Sequence, residues 1–293
     1  MNLVLTVLQI VAPVFLLAGG GFTWVKLGFE YRIQFVTRLS MTLAVPSLIF
    51  TSLMKSEIAP EALTVVLFAT IAAYGLITLA AWVVVRLAGL EIRSYLAPLI
   101  FGNTGNLGLP LALFAFGDQG LGYAVVIFAI SGIYGFTFGV WLVSGGGSLR
   151  NVVREPMVGA TLLGALFLWQ GWQTPDFLTR TLELVGQMAI PLMLLTLGVA
   201  VARLSPGRLV RAVWLAVLRV VICVALASAV GIWFALEPVA FGVLVLQLST
   251  PVAVTSYLLA EKYGADSDAV AGLVVVSTVL ALVSLPVTLG FLI

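Results

Sequence analysis

Two short runs gather the side chains of this sequence that could recognise a small molecule. The first reads Phe101-Gly102-Asn103-Thr104-Gly105-Asn106-Leu107-Gly108-Leu109-Pro110, and the second Gln247-Leu248-Ser249-Thr250-Pro251. Glycine, asparagine and proline at this density make a poor continuous helix, yet apolar sequence flanks both runs. Leu109 precedes a proline and is biased toward extended geometry, while Pro110 suits the first turn of a new half-helix. Ser249 or Thr250 could cap a half-helix that starts at Pro251. Two half-helices meeting at one point would aim unpaired amides and positive dipole ends at a carboxylate or other anion, with no full positive charge required. The candidate substrate-binding residues are therefore Asn103, Thr104, Gly105, Asn106 and Pro110 in the first run and Gln247, Ser249, Thr250 and Pro251 in the second. A packed structural kink is the competing reading, but asparagine at membrane depth is costly without partners.

Other chemistries find little support. There is no histidine, the usual ligand of catalytic zinc and the usual general base, so serine-histidine and HExxH proteases are excluded. The single Cys223 lies in an apolar run, where it reads as a small buried residue rather than a disulfide or cluster ligand. No pair of intramembrane aspartates offers itself for an aspartyl protease. An enzyme is not expected, nor a cofactor, a metal or a nucleic-acid partner.

The elements that must position the two runs are membrane spans. Of 293 residues 62% are hydrophobic and 9% charged, whereas a soluble domain carries about a quarter charged residues. The solvent must be a lipid bilayer. Polar punctuation predicts ten apolar helices at 3–25, 36–54, 62–88, 95–116, 121–143, 154–173, 181–202, 209–235, 239–260 and 268–292, with nothing left for a soluble domain. Met1 to Val25 has no basic region before its apolar run and reads as a retained first span. Segments such as Leu63 to Val85 are apolar on every side, unlike the alternating strands of a membrane barrel.

Basic residues fix the expected orientation. Lys26, Arg32, Arg38, Arg86, Arg93, Arg150, Arg154, Arg203, Arg208, Arg211, Arg219 and Lys262 lie in or beside the loops after odd-numbered spans; only Lys55 and Arg180 lie in the others. Odd loops would face the cytoplasm and both termini the outer, periplasmic side of a cell inner membrane. Lys55, Glu57 and Glu61 read as a solvated outer loop. Arg219, some way into the eighth span, reads as snorkelling to the interface, with attraction of an incoming anion as the other possibility. Trp24, Trp82, Trp141, Trp169 and Trp172 fall toward span ends as an aromatic belt would. Gly19-Gly20-Gly21 reads as a close helix contact rather than a hinge.

Prolines reveal an internal duplication. Pro13 and Pro156 lie 143 apart, Pro46 and Pro191 145 apart, and Pro110 and Pro251 141 apart. Leu43-Ala44-Val45-Pro46 is similar to Met188-Ala189-Ile190-Pro191. Five spans per copy is an odd number, so the second copy must run inverted, as in secondary transporters with midplane sites. The expected halves are 1–146 and 147–293. Ser131 and Ser277 occupy matching places, 146 apart; they either face the crossing or bond their own backbone.

The run Asn103 to Pro110, the Ser249-Thr250-Pro251 break and the ten-span layout resemble the auxin efflux carrier family over essentially the whole chain. Bacterial members of that family include proteins named as malate and malonate permeases; its plant members are the PIN exporters. The resemblance implies an all-α fold like that of PIN proteins and bile-acid symporters. Spans one, two, six and seven would form a scaffold, the others a mobile transport domain, and spans four and nine would cross at the substrate. It also implies elevator-like movement and a homodimer through the scaffold. The long cytoplasmic loop of many plant members is missing, since Ser144 to Val153 is a short connection. Bile-acid symporters use an intramembrane glutamate for sodium, and no Asp or Glu lies near either break; Glu183 and Asp118 fall near the outer ends of their spans. The expected function is a secondary carrier for a small organic anion, a mono- or dicarboxylate or an auxin-like acid. A sodium-coupled carrier of the bile-acid type, an anion channel and a ligand sensor are the alternatives.

Overall fold

Apolar sequence with few charges has to satisfy its backbone within each segment, and helices do so. The computed structural model describes residues 3–55, 58–145, 156–203 and 209–292. Glu57, Arg150, Arg154, Arg208, the junction at 146–147, the start of the sixth span and most of the Ser144–Val153 connection lie outside them. In chain order the helices are α1 (Leu3–Lys26), α2 (Ile33–Leu39), α3 (Val45–Met54), α4 (Pro60–Leu87), α5 (Ile92–Ile100), α6 (Leu109–Tyr134), α7 (Val140–Ser144), α8 (Pro156–Gln170), α9 (Asp176–Gln187), α10 (Ala189–Arg203), α11 (Leu209–Trp233), α12 (Pro238–Ser249), α13 (Val254–Tyr263) and α14 (Ser267–Leu292).

Two π-helical turns, Ser40–Ala44 and Thr104–Gly108, end one residue before a residue that precedes proline, at Pro46 and Pro110. A proline ring would strike the carbonyl four residues earlier in a regular helix, and a wider turn relieves that contact. A third wide turn, Gly135–Gly139, joins α6 to α7. Within α6 the helix is broken by a kink at Gly117 (φ 64°, ψ −157°), a conformation that suits glycine. Residues 109–116 and 118–134 therefore run as separate segments, in keeping with the boundary expected between 116 and 121.

Among the described residues six stretches are long and apolar enough to cross a bilayer: Ile33–Met54, Glu61–Leu87, Thr104–Ser144, Asp176–Arg203, Val210–Trp233 and Ser267–Leu292. Many large apolar side chains lie on the outside, among them Phe68, Leu79, Leu87, Val210, Ile232 and Phe291, as suits a surface that faces lipid. The five tryptophans expected in a belt, Trp24, Trp82, Trp141, Trp169 and Trp172, are all exposed.

α1 lies chiefly along α10, and α3 along α8 and α9; α11 packs on α4, α12 and α14, and α6 on α12. The α1–α10 contact is close because it lacks side chains. A Cβ at Gly21 would lie 2.1 Å from the Leu195 carbonyl oxygen, and one at Gly198 would lie 1.7 Å from that of Ala18. Of the glycine triplet, Gly21 thus makes the close contact expected, whereas Gly19 faces open space.

Polar bonds tie the helix ends into two sets. At one end Arg203 donates to the Tyr31 carbonyl (2.6 Å), and Arg93 to those of Val143 (3.0 Å) and Tyr263 (2.9 Å). At the other, Lys55 pairs with Glu183, and Glu237 accepts from the Tyr123 hydroxyl (2.5 Å) and Gln119 (3.0 Å). Lys55 is therefore bound to a partner rather than simply solvated.

Candidate functional site

The two broken segments cross, and the crossing is a hydrogen-bonded pair of extended strands one residue wide. After α5 ends at Ile100 the chain is extended at Phe101 (φ −90°, ψ 116°). After α12 ends at Ser249 it is extended at Thr250 (φ −56°, ψ 150°). Gly102 faces Val252 in an antiparallel bridge. Asn103 N–H donates to the Pro251 carbonyl (2.7 Å), and Ala253 N–H to that of Phe101 (3.2 Å). Ser277 supports the bridge from α14, accepting the Val252 amide at 3.1 Å while donating to the Val274 carbonyl at 3.1 Å. Its counterpart Ser131 accepts from Thr104 Oγ1 at 3.3 Å. Both serines face the crossing, and Ser277 also bonds its own helix.

The breaks lie elsewhere than the prolines suggest. Leu109 is helical (φ −59°, ψ −50°) rather than extended. The first break is Phe101–Asn103, and the second half-helix begins with the π turn at Thr104, because that turn already accommodates the Pro110 ring. Asn103 caps this half-helix: its Oδ1 accepts from Asn106 N–H at 3.2 Å. In the ninth span the new half-helix starts at Val254, not at Pro251, and its N-cap is Ala253. Ser249 and Thr250 do not cap it. Their hydroxyls donate backward to the carbonyls of Leu246 (3.0 Å) and Gln247 (2.7 Å) and close the end of α12 instead.

A cavity of about 360 Å³ opens beside the crossing. Asn103, Thr104, Gly105 and Asn106 line it, with Ala253 to Ser256 from the other half-helix and Thr37, Ser40, Met193 and Thr196 opposite. Among the described residues no acceptor takes the amides of Thr104, Gly105, Val254 or Thr255. Asn103 is 5% exposed, and among the described residues its Nδ2 has no partner. No lining residue carries an ionisable side chain. Unpaired N–H donors at two helix N-termini, in a site that is otherwise uncharged, favour an anion.

Pro110, Gln247, Ser249, Thr250 and Pro251 do not line the cavity. Pro251 contributes through its carbonyl to the strand pair. Gln247 is fully buried against Gly108, where a Cβ would lie 2.1 Å from its Oε1, and neither polar atom of its amide has a partner. Val254 and Thr255 offer amides that residue type alone does not disclose. Only the location of the strand pair reveals them.

Arg219 corrects an expectation. It does not snorkel: it is 2% exposed, and Nη1 donates to the Thr250 carbonyl at the end of α12. A Cβ on Gly102 would lie 2.8 Å from its Nη2. Ten residues of α11 separate it from the helix start, a rise of roughly 15 Å, which places the guanidinium beyond easy reach of the interface.

A second cavity of about 980 Å³ opens at the opposite end, between Thr51, Lys55, Asp118, Gln119, Glu183 and Gln187. It shares no lining residue with the first.

A paired crossing of two broken helices inside an apolar bundle is an arrangement of membrane carriers. The chain belongs to the family described as membrane transport protein, the auxin efflux carrier family, whose profile matches residues 6–148 and again residues 141–289. Among curated proteins it is similar to an uncharacterized transporter of Methanothermobacter thermautotrophicus, 29% identical over 86% of each chain. An uncharacterized transporter of Methanocaldococcus jannaschii is 23% identical over 86% of this chain and 87% of its own. A Rhizobium meliloti protein named "Putative malonate transporter" is 23% identical over 62% of this chain and 61% of its own.

Proposed function

We propose that the chain is a secondary carrier for a small organic anion, with mono- or dicarboxylates ahead of aromatic acids such as auxin, bound where the two breaks cross. One observation carries this reading: the residues whose first-turn amides are unpaired at two half-helices line one cavity, together with Asn103, whose buried Nδ2 has no partner among the described residues. The name of the Rhizobium meliloti relative favours a dicarboxylate. In this reading the chain crosses an inner membrane ten times, in two inverted five-helix repeats. The helices support ten crossings when α2–α3, α5 with residues 109–116, residues 118–134 with α7, α9–α10 and α12–α13 each count as one, α6 being divided at Gly117. The family profile matching each half supports the repeat.

The group α1–α3 with α8–α10 is the scaffold, through which a homodimer would form, and α4–α7 with α11–α14 is the transport domain. The lining of the cavity at the crossing extends to Ile33 and Ala200, close in sequence to Tyr31 and Arg203, so in this reading it opens toward the end that carries Arg93 and Arg203. With basic residues on the cytoplasmic side, that is an inward-open arrangement, and movement of the transport domain past the scaffold would join the site to the second cavity.

Binding of labelled malonate to purified protein tests the reading, with unlabelled malate and indole-acetate as competitors. Saturable binding displaced by one of these acids is the expected result. No binding of any of the three would move the substrate to a different class of solute.

A further inference from the structure

Among the described residues Arg219 is the only charged side chain that is buried. It has no carboxylate partner: the ion pairs among the described residues are Arg32–Glu30 and Lys55–Glu183. Nη1 is bonded to the Thr250 carbonyl, but Nε and Nη2 are unpartnered. The flank away from the crossing is apolar, formed by Ile77, Ala81, Val84 and Leu99. Tyr74 and Cys223 are the titratable neighbours that feel its charge, and both are ordinarily uncharged at neutral pH. A guanidinium held in this way lacks a compensating negative charge, which is expensive in a low-dielectric interior.

Its position relative to the helix ends gives the charge a use. The crossing gathers two helix N-termini, at Thr104 and Val254, and also two C-termini, those of α5 and α12. The C-terminal ends carry about half a negative charge each and would repel an anion. Ala253 N–H covers the Phe101 carbonyl after α5, and Arg219 covers the Thr250 carbonyl after α12. Nη2 lies against the face of Gly102 from which a Cβ would project, and Gly102 also lines the substrate cavity. One backbone thickness therefore separates the guanidinium from a bound anion.

We infer that Arg219 is the fixed positive charge of the crossing, a positioning residue that makes the cavity selective for anions through the backbone of Gly102 and Thr250 without touching the substrate. This rests on reading the crossing as an anion site. Charges on the order of 7 Å apart, at an effective dielectric of about 20, would change an anion's affinity by about fiftyfold.

The test reads the potential in the cavity without needing the substrate. In a Cys223→Ala background, a cysteine is placed at Asn106 (Asn106→Cys), with Thr255→Cys as a second reporter; both positions line the cavity. Its reaction rates with an anionic and a cationic methanethiosulfonate are compared. Their ratio cancels any change in the thiol's own ionisation. Arg219→Gln, which keeps an amide donor for the Thr250 carbonyl, is expected to lower the anionic-to-cationic ratio at least tenfold. Arg219→Lys, which keeps the charge, is expected to hold it within about threefold. An unchanged ratio in Arg219→Gln, or equal losses in both variants, would overturn the inference. Protection by malonate is measured in parallel on the Thr255→Cys reporter, which keeps the Thr255 backbone amide and every candidate binding side chain. If malonate fails to protect while the ratio responds to Arg219, the substrate assignment falls and the role of Arg219 stands.

Discussion

Asn103 has two separable tasks, and two substitutions distinguish them. Its Oδ1 caps the half-helix by accepting the Asn106 amide at 3.2 Å, while its buried Nδ2 has no protein partner and its residue lines the cavity. Asn103→Ala removes both. Losing the cap costs about 1 kcal/mol of stability, and losing a hydrogen bond to a charged ligand costs roughly 1.5–3 kcal/mol. Asn103→Ser keeps a capping oxygen but removes the amide donor. Malonate affinity is therefore expected to fall roughly 10- to 150-fold in both variants, whereas only Asn103→Ala should lower the melting temperature of the purified protein. Dissociation constants and thermal unfolding in detergent would be measured side by side. Weakened binding in Asn103→Ala alone would assign the effect to the cap, and unweakened binding in both would refute Nδ2 as a substrate contact.

Further expectations concern the frame around the site. Ser277→Ala leaves the buried Val252 amide without its 3.1 Å acceptor, costing about 1–3 kcal/mol; a lower melting temperature with slowed flux is expected, and an unaltered protein would remove α14 from the account. Gly198→Ala puts a methyl 1.7 Å from the Ala18 carbonyl oxygen and should destabilise the α1–α10 contact by about 1–3 kcal/mol. Gly19→Ala meets nothing within 4 Å and serves as the tolerated control; equal unfolding temperatures for the two would count against that packing. Lys55→Met breaks a half-exposed ion pair with Glu183, and such pairs contribute about 0–1 kcal/mol. Transport within about twofold of the parent is expected, and abolished transport would give the pair a functional role.

Much of this was legible from residue types. Glycine, asparagine and proline marked the first break and Ser249-Thr250-Pro251 the second, and basic residues beside alternate apolar runs marked which helix ends belong together. The exact breakpoints were not legible, because proline permits two solutions. It can begin a new helix, as Pro251 and Pro110 suggest, or it can follow a widened turn, as Pro110 does after Thr104–Gly108. Tertiary pairing decided between them by placing Gly102 opposite Val252. Ser249 and Thr250 carry the side chains of N-caps, yet a hydroxyl can equally bond the preceding turn, and theirs do. Arg219 was misread because its position along α11 fixes depth but not direction; a helix face turned toward α12 instead of lipid depends on packing that no local pattern encodes.

Counterflow in liposomes tests the central claim most directly. Vesicles holding purified protein and loaded with unlabelled malonate, malate or indole-acetate would be given the same acid labelled outside, beside vesicles holding Asn103→Ala. The account predicts saturable, trans-stimulated accumulation of at least one acid, strongly reduced in the variant. Unsaturable flux without trans-stimulation would contradict it and indicate a pore, and equal accumulation in the variant would contradict the site at the crossing.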